Sequence, residues 1–346
     1  MRRMLFCFFL FMLSLGTFAQ TAAPACRVPD FLKKGDKVAL LSPSSYVPLE
    51  EVEDAARVLK KWGLEPVIGA SVGRKAGLND AGTLQERLGD LRRALADPEV
   101  KAILCNRGGY STIHMLSRLD PAELSAHPKW LIGFSDITTL HGMEVSAGVM
   151  SIHGTMSRFI GKSKGKDISS TALRDLLFGT VPRYELPAHP CNIPGKASGT
   201  LVGGNLCTLY PLQGTAVDFT EHPEGFILFL EEVEESYHNL DRILNKLILG
   251  GMMEHCKGVI LGYFTDCPAD RDFESVEQMF RPYFEPYGIP LLCGFPAGHD
   301  SPNLPLIMGA PVTMEVTETG ASVSFGLPDT EQMVLRIKEP QIMNPQ

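Results

Sequence analysis

Several kinds of chemistry are missing from this sequence. No run of Lys and Arg exceeds two residues anywhere in the 346. There is thus no basic stripe for a phosphate backbone, and nucleic acid is not an expected partner. The eight cysteines contain no C-x-x-C pair, and the nine histidines contain neither H-E-x-x-H nor H-x-H. The common zinc and dithiol signatures are therefore absent, and no metal is expected. No G-x-G-x-x-G occurs, so a dinucleotide is not expected and no cofactor is called for by any motif. Internal repeats and low-complexity tracts are absent too. The one long apolar run, Met4 to Leu15, is too short for a comfortable membrane span.

What is present reads as an ordinary folded chain. It is 44% hydrophobic and 21% charged with a formal net charge of -8, a balance that suits a soluble globular protein with a sizeable core. The length fits two domains or one large one. At the N-terminus, Arg2 and Arg3 precede the apolar run, and Gly16-Thr17-Phe18-Ala19 ends it on a small residue. That pattern predicts a secretory signal over 1–19, with an uncleaved anchor as the alternative, hence export, a periplasmic location and no stable membrane span once the signal is removed. Cys7 would leave with the signal, and the remaining seven cysteines are odd in number. Cys105 and Cys293 lie in apolar strand-like runs, so buried free thiols are expected, with one disulfide as the alternative.

From Leu32 onward strands and helices alternate. Lys37 to Leu41 is a short apolar run that ends in Ser-Pro-Ser-Ser. Leu84, Leu88, Leu91 and Leu95 recur at helical spacing until Asp97-Pro98 stops them. Val100 to Cys105 and Trp130 to Phe134 read as further buried strands. Strands separated by helices predict an α/β fold with a parallel, doubly wound sheet. Residues 29–160 form the expected first domain. The Lys-, Gly-, Ser- and Pro-bearing stretch 161–198 reads as a connection, and 199–335 as a second α/β domain. That domain should end in a hairpin of Val312 to Val316 with Ala321 to Phe325.

Four segments carry candidate chemistry, each just past the carboxyl end of an expected strand. In Ile132-Gly133-Phe134-Ser135-Asp136, a serine on a strand-to-helix turn would expose its hydroxyl. The Asp136 N–H could face a developing oxyanion; the same segment also suits a plain helix cap. In Arg107-Gly108-Gly109-Tyr110-Ser111, paired glycines would let backbone N–H groups approach a ligand, or simply make a tight turn. Glu231 ends an apolar strand and opens the run Glu231 to Glu235, which is either a solvated face or the place of a fixed carboxylate able to orient a histidine. His299, on a Gly/Pro loop, is a general-base candidate or a surface residue, with His141 and His153 as rivals. The order Ser, Glu, His is that of one known triad arrangement.

Taken together, Arg107-Gly108-Gly109-Tyr110, Gly133-Phe134-Ser135-Asp136, Gly203-Gly204-Asn205-Leu206, Leu230-Glu231 and Gly298-His299 resemble the LD-carboxypeptidase family of serine peptidases. The likeness runs from about Pro29 to Pro311. It implies a flavodoxin- or Rossmann-like N-terminal domain, a C-terminal domain, and a site between them that cleaves the L-centre to D-alanine bond of murein tetrapeptides. It implies Ser135 as nucleophile, Glu231 as triad acid, His299 as base, and the N–H groups of Asp136 and Gly109 as the oxyanion hole. Arg107, Gly108, Tyr110 and Asn205 become candidates for holding the murein peptide, and a homodimer is expected. Ser111 and Thr155 depart from the family's pattern. Two other outcomes stay open: a microcin-type peptidyl-nucleotide hydrolase, and a muropeptide-binding protein without catalysis.

Overall fold

Alternating apolar strands and amphipathic helices build two sheets, one of six strands and one of eight. The structure, a computed structural model, describes residues 26–220, 222, 224–328 and 330–338; the expected signal at 1–19 lies outside them. The first sheet uses β1 (Lys37–Leu41), β2 (Glu65–Ile68), β3 (Val100–Cys105), β4 (Trp130–Gly133) and β5 (Ser151–His153). Their spatial order is 2-1-3-4-5, all parallel, the flavodoxin-like arrangement. β4 is buried along its whole length and β3 nearly so, as befits strands covered by helices on both faces.

The covering helices show why they form. In α1 (Leu49–Lys61), Glu50 and Glu51 sit in the first turn and Lys60 and Lys61 in the last, complementing the helix dipole. In α2 (Leu84–Ala96), Thr83 and Glu86 make a reciprocal capping box. Then follow α3 (Pro121–Ala126), α4 (Thr138–Ser146), α5 (Ser157–Ser163) and α6 (Ile168–Leu177).

The second domain runs β6 (Thr180–Pro187), β7 (Gly195–Asn205), α7 (Leu206–Leu209), β8 (Phe226–Val233), α8 (Tyr237–Leu249), β9 (Cys256–Thr265), α9 (Val276–Phe284) and β10 (Leu291–Leu292). It continues with β11 (Leu306–Met308), β12 (Pro311–Val316), β13 (Gly320–Phe325) and β14 (Glu331–Arg336). Its eight-stranded sheet has the order 10-9-8-7-12-13-6-14, and β12 and β13 form the expected antiparallel hairpin.

Two expectations need adjusting. The stretch 161–198 does join the halves in sequence, yet it is folded. The Lys/Gly cluster is the left-handed end of α5 at Lys164 and Gly165, with φ of 57° and 68°. Pro182 lies in β6 opposite Met333 of β14, just before the ladder with β13 begins at Arg183. The first domain is also not continuous in sequence. β11 crosses back and pairs antiparallel with β5 at the edge of the first sheet. Among the described residues every cysteine is a free thiol, with Cys105 and Cys293 buried, and no helix is long and apolar enough to cross a membrane.

Candidate active site

Ser135 stands immediately after β4 with φ of 65°. A side chain in this left-handed region costs on the order of 1–3 kcal/mol, a strain a mere cap would not need. The hydroxyl does not cap: Phe134 is the cap of the short 3-10 turn Ser135–Ile137, and no side chain bonds there. Ser135 Oγ instead lies 2.9 Å from His299 Nε2. His299 Nδ1 lies 2.6 Å from Glu231 Oε2. The three side chains, 164 and 68 residues apart in sequence along that chain of bonds, come from both domains.

Each member is held by its surroundings. Glu231 is fully buried, and the ladder between β8 and β9 slips register between Leu230 and Glu232. That bulge re-aims the end of the strand. Gly298 precedes the base at φ of 129°, and a Cβ there would sit 2.9 Å from Glu231 Oε2. Its N–H donates to Asn303 Oδ1 at 3.1 Å, which fixes the loop. The His299 ring meets Phe134 edge-on with centroids 4.9 Å apart, a contact worth about 0.5–1.5 kcal/mol. Burial lowers the affinity of His299 for a proton, but the charge and hydrogen bond of Glu231, then Glu232 and Glu234, outweigh it and hold the imidazole above its usual range.

The glycine loop after β3 closes against Ser135. A Cβ on Gly108 would lie 2.7 Å from Ser135 Cβ, and one on Gly109 would lie 2.0 Å from Ser45 Oγ. Any side chain would therefore push the loop away, and Gly109 adopts φ of 150°. The N–H groups of Gly109 and Asp136 are not spent on a partner among the described residues. Both residues line, with Ser135, a groove of about 710 Å³, so an oxyanion there would meet two free donors. The Asp136 carboxylate is buried. It accepts from the Ser44 hydroxyl and, at 3.0 Å, from the Thr112 N–H. The Thr112 hydroxyl donates to the Asp136 carbonyl at 2.6 Å.

The other candidates separate. Tyr110 is 78% exposed at the groove's rim. Asn205 lines the groove but its side chain is hydrogen-bonded to Glu232 and Thr208. Arg107 lines neither this groove nor the smaller cavity beside His299, of about 480 Å³, to which Thr155 contributes. Ser111 is buried. The two rival histidines are packed. His141 is bonded to Ser151 Oγ and the Gly133 carbonyl, and burial lowers it to about 4. His153 is fully buried and is pushed well below the usual range, first by burial and then by His141 and His299. Ser44, Thr112 and Asn303 escaped the sequence reading. Only the Ser-Pro-Ser-Ser punctuation after β1 marked one of them.

Comparison with known proteins finds relatives along most of the chain. Residues 38–154 match the LD-carboxypeptidase N-terminal domain and 198–314 the LD-carboxypeptidase C-terminal domain. The chain is 34% identical over 305 residues to the probable murein peptide carboxypeptidase of Bacillus subtilis (strain 168), covering 86% of this chain and 95% of that one. It is 33% identical over 276 residues to the murein tetrapeptide carboxypeptidase of Pseudomonas aeruginosa, covering 77% and 89%. Among solved structures, an MccF-like protein from Bacillus anthracis superposes with a TM-score of 0.75 at 25% identity, covering 87% of this chain and 100% of that chain.

Proposed function

The chain belongs to the LD-carboxypeptidase family, and we propose that it is a serine-type carboxypeptidase that removes the terminal D-alanine from murein tetrapeptides. The observation that carries this reading is the hydrogen-bonded chain Ser135, His299, Glu231 assembled across two domains, with the serine in a strained turn. In the proposed reaction His299 takes the Ser135 proton as Oγ attacks the carbonyl before the D-residue. The N–H groups of Gly109 and Asp136 receive the oxyanion. Imidazolium, steadied by Glu231, returns its proton to the leaving amine, and water then releases the acyl group by the same route.

Incubation with a murein tetrapeptide and mass spectrometry tests it. Loss of one alanine, abolished in Ser135→Ala, is the expected result. Binding without cleavage by the intact chain would sink the reading in favour of a muropeptide-binding protein. The likeness to an MccF-like structure supports a second reading, hydrolysis of peptidyl nucleotides, which turnover of those compounds alone would favour. Export rests on the Arg2-Arg3 and Met4–Leu15 pattern; we propose a periplasmic location, which N-terminal sequencing and fractionation of the native protein would check.

A further inference from the structure

Asn205 and Glu232 are committed to one another and to both halves of the site. The Asn205 N–H donates to Thr138 Oγ1 at 3.0 Å, on the helix that follows Ser135. Its Nδ2 donates to Glu232 Oε1 at 2.6 Å, and its Oδ1 accepts from the Thr208 N–H at 3.1 Å. Gly204 makes the approach possible, since a Cβ there would lie 2.4 Å from Thr138 Oγ1. Glu232 is 3% exposed. It also accepts from the Val233 N–H at 2.9 Å and the Cys207 N–H at 2.7 Å. Three N–H donors on two oxygens favour the carboxylate, against burial and the neighbouring Glu231 charge, which raise its proton affinity. The neighbouring Glu231 faces His299 while Glu232 faces Asn205. Glu231 and Glu232 are thus consecutive buried carboxylates at the end of β8.

We propose that Asn205 and Glu232 are positioning residues: they lock the domain carrying Glu231 and His299 onto the nucleophile helix, and Glu232 adds a second negative charge behind the imidazolium that forms during reaction. Asn205 thereby acts through Glu232 and Thr138 rather than by gripping substrate. The inference rests on the serine-peptidase reading for its kinetic consequences, not for its electrostatic one. The charged and titratable groups around His299 are Glu231, Glu232 and Glu234 from β8 and its end, His153 from β5, and Asp300 on its own loop. Lys162 and Asp167 stand across the smaller cavity. Among the carboxylates, Glu231 contributes most to holding the imidazole high and Glu232 comes next.

The test uses the full chain and three variants, with His299 titrated by NMR and peptide turnover followed against pH. In Glu232→Gln the His299 pKa and the acid limb of kcat/KM should both move down. In the same variant kcat should fall by up to about 10²-fold, because misplacing a reacting group by an ångström costs that much, while KM stays within about twofold. Glu232→Asp should restore the pKa and part of kcat. Asn205→Ala keeps the charge, so it should lower kcat without moving the pKa. An unmoved His299 titration in folded Glu232→Gln would overturn the electrostatic role. A loss confined to KM in Asn205→Ala would overturn the positioning role and restore Asn205 as a substrate contact. If Glu232→Gln does not fold, Glu232→Ala carries the same His299 titration test and Asn205→Ala the positioning test. Absence of peptide turnover by the wild type would strike the functional reading alone, because the NMR titration needs no turnover.

Discussion

Ser135 and His299 meet at 2.9 Å from opposite domains, and the two domains hold them by different means. On the N-terminal side the working parts are backbone: a serine at φ of 65°, two glycines pressed onto it, and N–H groups left free toward the groove. Polar side chains there, Asp136, Ser44 and Thr112, brace the loops. On the C-terminal side the working parts are side chains: a buried carboxylate on a bulge and a histidine on a glycine loop. In the proposed reaction one half fixes where the substrate carbonyl sits, and the other sets how readily a proton moves. Geometry and proton affinity are thus assigned to separate folding units, and each should fail in its own way.

The largest expected effect comes from the atom both halves share. Ser135→Ala should lower kcat by roughly 10⁶-fold while the far-UV spectrum is kept, as for serine peptidases that lose the nucleophile. A residual rate near that of the wild type would break the comparison outright. On the C-terminal side, Glu231→Gln should cost roughly 10⁴-fold in kcat, because the amide cannot hold the imidazole in the productive tautomer or stabilise its charge. On the N-terminal side, Gly109→Ala should cost about 10²–10³-fold, the usual worth of one oxyanion donor. Its Cβ would meet Ser45 Oγ at 2.0 Å and swing the N–H away. Steady-state rates on a murein tetrapeptide separate the two sides. The glycine variant should keep the wild-type pH profile, and the glutamine variant should not.

Much of this was legible in the sequence, for a physical reason. Buried parallel strands are continuous apolar runs, so β3 and β4 announce themselves. A reactive residue on a turn just past such a run marks the ligand face of an open sheet. That is why Ser135, Gly109, Glu231 and His299 were found as separate segments before the fold brought them together. What stayed hidden depends on long-range pairing. β11 is three residues in a Pro- and Gly-bearing stretch and has no periodicity of its own; its partner β5 defines it. β6 carries Pro182 and reads as a break until β13 and β14 flank it. Glu232 is one of four glutamates in a run of five residues, and only the register slip tells which of them turn inward.

The smallest effect is the one that separates the two halves most finely. His299 holds its proton above the usual histidine range, whereas His153, nearby on β5, is held well below it by burial. Only the neutral base can accept the Ser135 proton, so kcat/KM should fall about tenfold per pH unit below a midpoint that lies above 6.5. Stability should respond in the opposite sense. A raised folded pKa means that the folded state binds the proton more tightly than the unfolded chain, whose histidines titrate near about 6.5. The stabilisation from the His299–Glu231 pair is therefore fully present below that value and is lost as pH rises through the folded pKa. His153 acts inversely: its contribution is present above about 6.5 and is lost as pH falls toward its depressed folded value. Tm followed against pH should thus show the His299 contribution fading where activity is rising. Glu231→Gln should remove that fade and carry the activity midpoint down, leaving the acid loss from His153 in place.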